Sequence, residues 1–282
     1  MSTAYLKPAS LEDAYTARAE HPDYVLLAGG TDYMVGILHR PAPVGVIDLF
    51  GLSALTGIEA GEGVLRIGAA ATYAVVLTDA TVSESFPSLR TCVSEIGATQ
   101  IQARGTLGGN IGTSSPVGDT LPVLLALDAI LELGSSRGTR KVAYAEFCTG
   151  YRQTLLKEDE VIVAIELPLP SPGVQFWRKV GTRKAQAISK VMVAASARGS
   201  GETLTDVRLA MGAVADRPIR LGAVEALLEG QVPSLELAEQ VRAAVADAIT
   251  PISDLRSTAP YRLRSAQNLA ARFVLQRVEA QA

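Results

Sequence analysis

Two stretches carry residue types and spacings that could do chemistry. The first is Ala28-Gly29-Gly30-Thr31-Asp32. The second is Gly105-Thr106-Leu107-Gly108-Gly109-Asn110-Ile111-Gly112-Thr113-Ser114-Ser115. Glycine lets another molecule approach the main chain, and each glycine costs conformational entropy on folding, so such clusters imply a purpose. Each stretch leads into a helix-like run. Exposed N–H groups in a glycine turn at a helix N-terminus form an anion site. Two such loops could hold the two phosphates of a dinucleotide. The hydroxyls of Thr31, Thr113, Ser114 and Ser115 could bond phosphate or ribose oxygens. The G-x-x-x-x-G-K-[ST] loop is absent, and no G-x-G-x-x-G follows a strand, so a Rossmann fold is not supported.

The elements that must position these loops are short and irregularly mixed. Ser10 with Asp13 three residues on predicts a capped helix to about Glu20. Strands are expected at 24–27, 45–49, 64–68, 130–133, 141–144 and 161–167. Helical patterns fall at 33–38, from Thr72, over 87–97, and over 121–127, where Pro122 suits a first turn. Three prolines and a glycine between Pro168 and Gly173 suggest a linker. Beyond it come three strand patterns, at 174–180, 189–197 and 204–212. Helical segments follow at 223–228, 235–249 and 261–278. The alternation fits α+β better than a regular βαβ repeat. The division expected is 1–170 as one domain and 174–282 as a second, a three-stranded antiparallel sheet with helices.

Composition narrows the function classes. The chain has 282 residues, nearly half of them apolar, and a net charge of -3. That charge disfavours nucleic acid or an anionic membrane as the main partner. No apolar run approaches the ~20 residues of a membrane span, and the N-terminus carries no leader pattern, so the cytoplasm is the expected location. Cys92 and Cys148 are far apart and are expected to be buried thiols. Two cysteines cannot ligate an iron–sulfur cluster with four thiolates. His21 and His39 have no matching ligand cluster, so no metal site is expected. The pair Ser114-Ser115 lacks a G-x-S-x-G context and a nearby histidine. No catalytic acid, base or nucleophile is assigned.

The segments L-L-A-G-G-T-D, I-Q-A-R-G-T-L-G-G-N-I-G-T-S-S-P-V-G-D-T-L-P and R-K-A-Q-A-I-S-K-V resemble the FAD-binding medium subunit of the molybdenum hydroxylases, the family of carbon monoxide and xanthine dehydrogenase flavoprotein subunits. The resemblance spans nearly the whole chain. It implies a two-lobed FAD-binding domain of the vanillyl-alcohol-oxidase/PCMH type followed by a small C-terminal flavoprotein domain. By family pattern Ala28, Gly29, Gly30, Thr31 and Asp32 wrap the pyrophosphate, with Leu27 beside them. Thr106, Gly108, Gly109, Asn110 and Thr113 continue that cradle. Asp119 falls where adenosine ribose or nearby polar groups bind, Ile101 packs on the cofactor, and Lys190 approaches the flavin. Other roles stay open: Asp32 and Asp119 as helix caps, Lys190 as a solvated strand residue, Arg104 as partner of an acid or a phosphate. No histidine lies in either motif, so FAD is expected to be held non-covalently. Thr31-Asp32 stands where some carbon monoxide dehydrogenase subunits have histidine and serine, which points to the xanthine- or aldehyde-oxidising branch.

The function implied is electron transfer. A molybdopterin-binding large subunit and a small subunit with two [2Fe–2S] clusters would supply electrons to FAD on this chain, in a dimer of heterotrimers. A stand-alone flavin oxidoreductase and a non-redox assembly subunit are the alternatives.

Overall fold

The computed structural model describes residues 3–39, 41–198 and 203–281. The expected domain limits at Met1 and Ala282 lie outside them. The chain opens with a three-stranded parallel sheet in the order Ala4–Leu6, Gly45–Asp48, Val25–Leu27. Helix Leu11–Glu20 connects its outer strands. Ser10 and Asp13 form the reciprocal capping box that the sequence signalled. The 33–38 pattern becomes a 3₁₀ helix, Met34–His39, rather than an α-helix.

A five-stranded antiparallel sheet follows, ordered Ile58–Gly61, Val64–Gly68, Val161–Pro168, Ile130–Ser135, Gly138–Ala143. Its middle strand is buried from Val161 to Leu167. The strand expected at 141–144 starts earlier, and Tyr144 instead opens a helical turn, Tyr144–Phe147. Short helices Tyr73–Thr78, Ala80–Ser85 and Pro87–Ser94 are started by Thr72, by Asp79, and by a proline in the first turn. The C-terminal sheet has four strands, not three. A two-residue strand, Ile219–Arg220, joins Val174–Val180, Val191–Arg198 and Thr205–Gly212. It is too short to leave an alternating pattern in the sequence.

Helix Thr120–Ala126 joins the two sheets. It is buried at every position, as its all-round apolar sequence requires. One core runs from Leu131 and Ile165 through Leu121, Val123 and Leu124 to Trp177, Ala194 and Ala210. Two smaller cores lie beneath the first sheet and between the four-stranded sheet and its helices.

Among the described residues three buried acids are matched by cations: Glu166 by Lys141, and the two that follow. Glu160 accepts from Arg140 Nε at 2.7 Å and from the Lys157 amide at 2.9 Å. The Arg140 hydrogen bond, above all, holds the Glu160 carboxyl below its ordinary range. The folded state therefore favours the ionised form. The stabilisation is present above the unfolded value of about 4.3 and is lost as pH falls through the lower folded value. Asp119, at the start of the buried helix, takes Lys179 Nζ at 2.7 Å and Ser189 Oγ at 2.5 Å. Lys179 also donates to the Glu95 carbonyl at 3.0 Å. The Lys179 and Asp119 side chains are 2% and 9% exposed, so this pair bolts the four-stranded sheet to the rest of the chain.

Glu160→Gln should cost about 1–3 kcal/mol in urea melts at pH 7. The gap from wild type should shrink as pH falls below about 4. Lys179→Met leaves a buried carboxylate uncompensated and should cost about 3–5 kcal/mol, with Lys179→Met/Asp119→Leu recovering much of it.

Candidate functional site

The first glycine loop leaves strand Val25–Leu27 and turns at Gly30, whose φ is +75°. The second starts helix Leu107–Thr113, where Thr106 Oγ1 accepts from the Gly109 amide at 3.0 Å. The two loops are pressed together. A Cβ on Gly29 would lie 1.8 Å from the Arg104 carbonyl oxygen. A Cβ on Gly108 would lie 2.6 Å from the Ala69 side chain and carbonyl. These two glycines serve packing. Gly109 differs, because its only close neighbour would be Thr106 Oγ1 at 2.8 Å.

The amide hydrogen bonds separate the loops further. Leu107 N bonds Ala71 O, Gly108 N bonds Ala69 O, and Gly109 N bonds Thr106 Oγ1. The first turn of the second helix is thus already satisfied. Among the described residues, the amides of Gly29, Gly30, Thr31 and Asp32 have no acceptor within the protein. The expectation that both loops offer N–H groups is corrected: the first loop supplies the amides, the second a bare face and side chains.

Both loops line one cleft with two contiguous lobes. The wide lobe encloses about 410 Å³ and the narrow lobe about 110 Å³. Leu49, Leu55, Leu156 and Ile162 give the wide lobe an apolar lining, suited to a flat ring. The narrow lobe is bounded by Leu27, Ala28, Gly29, Gly30, Thr31 and Asp32 on one side. Thr106, Gly109, Asn110 and Thr113 face them, and Gly108 lines the wide lobe. The Asn110 amide oxygen accepts from Thr120 Oγ1 at 2.6 Å, which leaves its NH₂ as a donor. Tyr73 also lines the narrow lobe. Burial, more than the nearby Cys92, Asp119 and Asp32, pushes its phenol far above the ordinary range. It stays a neutral donor.

Three sequence-predicted residues do not line this cleft. The Asp119 carboxylate has Lys179 and Ser189 as partners, and it neither caps the following helix nor reaches the cleft. Ile101 is 39% exposed, over Gly97. Lys190 holds its ammonium 5.1 Å from the Tyr261 ring centre, a cation–π contact. Two hydroxyls are also reassigned. Ser114 is buried and bonds Cys148 Sγ at 3.2 Å, and Ser115 Oγ accepts from the Val117 amide. Cys148 is half-buried, unlike Cys92. Asp32 is not a helix cap, since its partner is Arg152 at 3.9 Å. Arg104 lies over the Phe50 ring, 3.8 Å from its centre. Sequence reasoning missed Tyr33, Tyr73 and Arg152 as lining residues. Tyr33 adjoins the first motif. Arg152 sits in a hairpin turn with no signature.

The fit to FAD rests on this geometry. An amide run without partners suits a pyrophosphate, the bare Gly109 face leaves room for it, and the apolar lining accepts a ring. Among the described residues no group of His, Cys, Asp or Glu could hold a metal. Within them no helix is long and apolar enough to cross a membrane.

Comparisons with known proteins agree. Residues 1–170 match the model of the FAD binding domain in molybdopterin dehydrogenase, and 177–277 that of the CO dehydrogenase flavoprotein C-terminal domain. The chain is 32% identical to the xanthine dehydrogenase FAD-binding subunit of Escherichia coli O157:H7, over 98% of this chain and 96% of that one. It is 31% identical to the nicotine 6-hydroxylase medium subunit of Paenarthrobacter nicotinovorans, over 96% of each. In structure it is similar to carbon monoxide dehydrogenase from Hydrogenophaga pseudoflava. The TM-score there is 0.93, at 27% identity, over 100% of this chain and 99% of that one. Quinoline 2-oxidoreductase from Pseudomonas putida 86 gives 0.92 over 99% and 98%, also at 27% identity. With both family models matching and curated relatives aligned end to end, the chain belongs to the FAD-binding medium subunits of the molybdenum hydroxylase family.

Proposed function

We propose that this chain is the electron-transfer subunit of a heteromeric molybdenum hydroxylase. It would take electrons from [2Fe–2S] clusters on a small partner subunit and deliver them to an external acceptor. A large partner subunit would bind molybdopterin and oxidise the substrate. The observation that carries the reading is the run of four amides without partners, Gly29 to Asp32, facing the bare Gly109 across one cleft. FAD suits the junction because it accepts electrons singly and releases them as a pair.

The chain's own residues bind and orient. The Gly29–Asp32 amides hold the pyrophosphate oxygens. The side-chain NH₂ of Asn110, the Thr113 hydroxyl and the neutral Tyr73 phenol complete the donor set. Leu49, Leu55 and Ile162 exclude water from the ring-binding lobe. Lys190, outside the lining of the cleft and held over Tyr261, would act on a reduced flavin only through longer-range charge. We place the boundary between the FAD-binding and C-terminal domains at 170–174, between strands Val161–Pro168 and Val174–Val180.

The chain co-purified with its partner subunits should show flavin absorbance together with iron–sulfur bands. Gly109→Val puts a branched side chain on the bare face and against the Thr106 cap. Flavin occupancy should fall at least tenfold, while loss of the cap costs only about 1 kcal/mol of stability. Undiminished occupancy in that variant contradicts the placement. Lys190→Ala should lower the flavin reduction potential by a few tens of millivolts, on the order of 1 kcal/mol. An unchanged potential assigns Lys190 to Tyr261 alone.

A further inference from the structure

The two lobes of the cleft hold one acid and one cation among their described lining residues, Asp32 and Arg152. The acid sits in the amide run itself. Arg152 belongs to a different part of the chain, the turn between strands Cys148–Gly150 and Gln153–Thr154. Its φ is +52°, the left-handed region that a side chain rarely adopts. Here the hairpin is fastened behind the turn. The Leu155 amide bonds the Phe147 carbonyl at 2.9 Å, and Arg140 Nη2 donates to the Leu155 carbonyl at 2.9 Å.

The contact that Arg152 makes is loose. Its Nη1 lies 3.9 Å from Asp32 Oδ2, beyond hydrogen-bond reach, with the two side chains 40% and 56% exposed. Such a pair is weak and easily exchanged. A pyrophosphate seated on the Gly29–Asp32 amides would bring two negative charges beside a carboxylate. Amide dipoles offer donors but no net charge. Arg104, whose backbone abuts Gly29, keeps its guanidinium on Phe50 and does not line the cleft. A guanidinium presents a planar fork of donors matched to phosphate oxygens.

We propose that Arg152 is the counter-charge of the cofactor site. Before the cofactor binds, Asp32 is its partner. On binding, Arg152 exchanges the carboxylate for the pyrophosphate and adds a charged donor beside the amide run. This rests on the FAD reading above and adds a phosphate-recognition residue contributed by the hairpin rather than by either glycine loop.

The test is FAD affinity of the full chain stripped of flavin, read by quenching of flavin fluorescence, with ADP as competitor. Arg152→Gln should raise the Kd for FAD and for ADP at least tenfold and flatten their salt dependence. Arg152→Lys, which keeps the charge but not the fork, should fall between. Asp32→Asn removes a like charge and frees Arg152, so FAD should bind as tightly as in wild type or more so. An Arg152→Gln variant within twofold of wild type would overturn the proposal, as would an Asp32→Asn variant that binds tenfold more weakly. A wild-type chain that takes up no FAD would instead refute the cofactor reading itself, which keeps the two failures distinct.

Discussion

The approach of Gly29 to the Arg104 carbonyl is the contact on which the site depends. A side chain at position 29 would overlap that oxygen, so only glycine lets the first loop lie against the residues leading into the second. Two segments some 75 residues apart in sequence thereby become opposite walls of one cleft. The second loop is fixed in turn by Gly108 against Ala69 and by the bonds from Leu107 and Gly108 to the Ala71 and Ala69 carbonyls. Its amides serve the fold, and the amides of the first loop are thereby the ones left for a ligand. The division follows the hydrogen bonds: the Leu107, Gly108 and Gly109 amides are bonded within the protein, while those of Gly29 to Asp32 have no protein acceptor among the described residues.

The rest of the molecule holds these walls still. The fully apolar helix Thr120–Ala126 lies between the five- and four-stranded sheets and begins at Asp119, whose carboxylate is tied to both Lys179 and Ser189. Asn110, on the cleft wall, is oriented by Thr120 of the same helix. Packing of the two sheets thus reaches the site through one helix. Electrostatics is sparse by comparison. Among the described lining residues there is one acid and one cation, so amides, hydroxyls and shape carry most of the recognition beside that single pair.

Much of this was legible in the sequence. Ser10 and Thr72 each start the helix they precede, because a side-chain acceptor at a fixed offset is a local signal. The glycine motifs located the cleft for the same reason, and the family resemblance carried the fold. What stayed hidden depends on distant partners. Whether Gly29 is glycine for a ligand or for Arg104 needs the third dimension. Asp119 gives no hint in sequence of Lys179, 60 residues on. Arg152 stands in a hairpin whose two-residue strand, Gln153–Thr154, shows no periodicity, so its position beside Asp32 could not be foreseen.

On the proposed reading the first glycine loop, and not the N-terminus of the Leu107–Thr113 helix, provides the amides for the cofactor. Hydrogen exchange of the full chain with and without FAD tests it at the level of individual peptides. Exchange at Gly29–Asp32 should slow at least tenfold on adding FAD, while the amides of Leu107, Gly108 and Gly109, already bonded within the protein, should be slow in both states. Unchanged exchange at Gly29–Asp32, with new protection appearing at 107–109, would contradict the account.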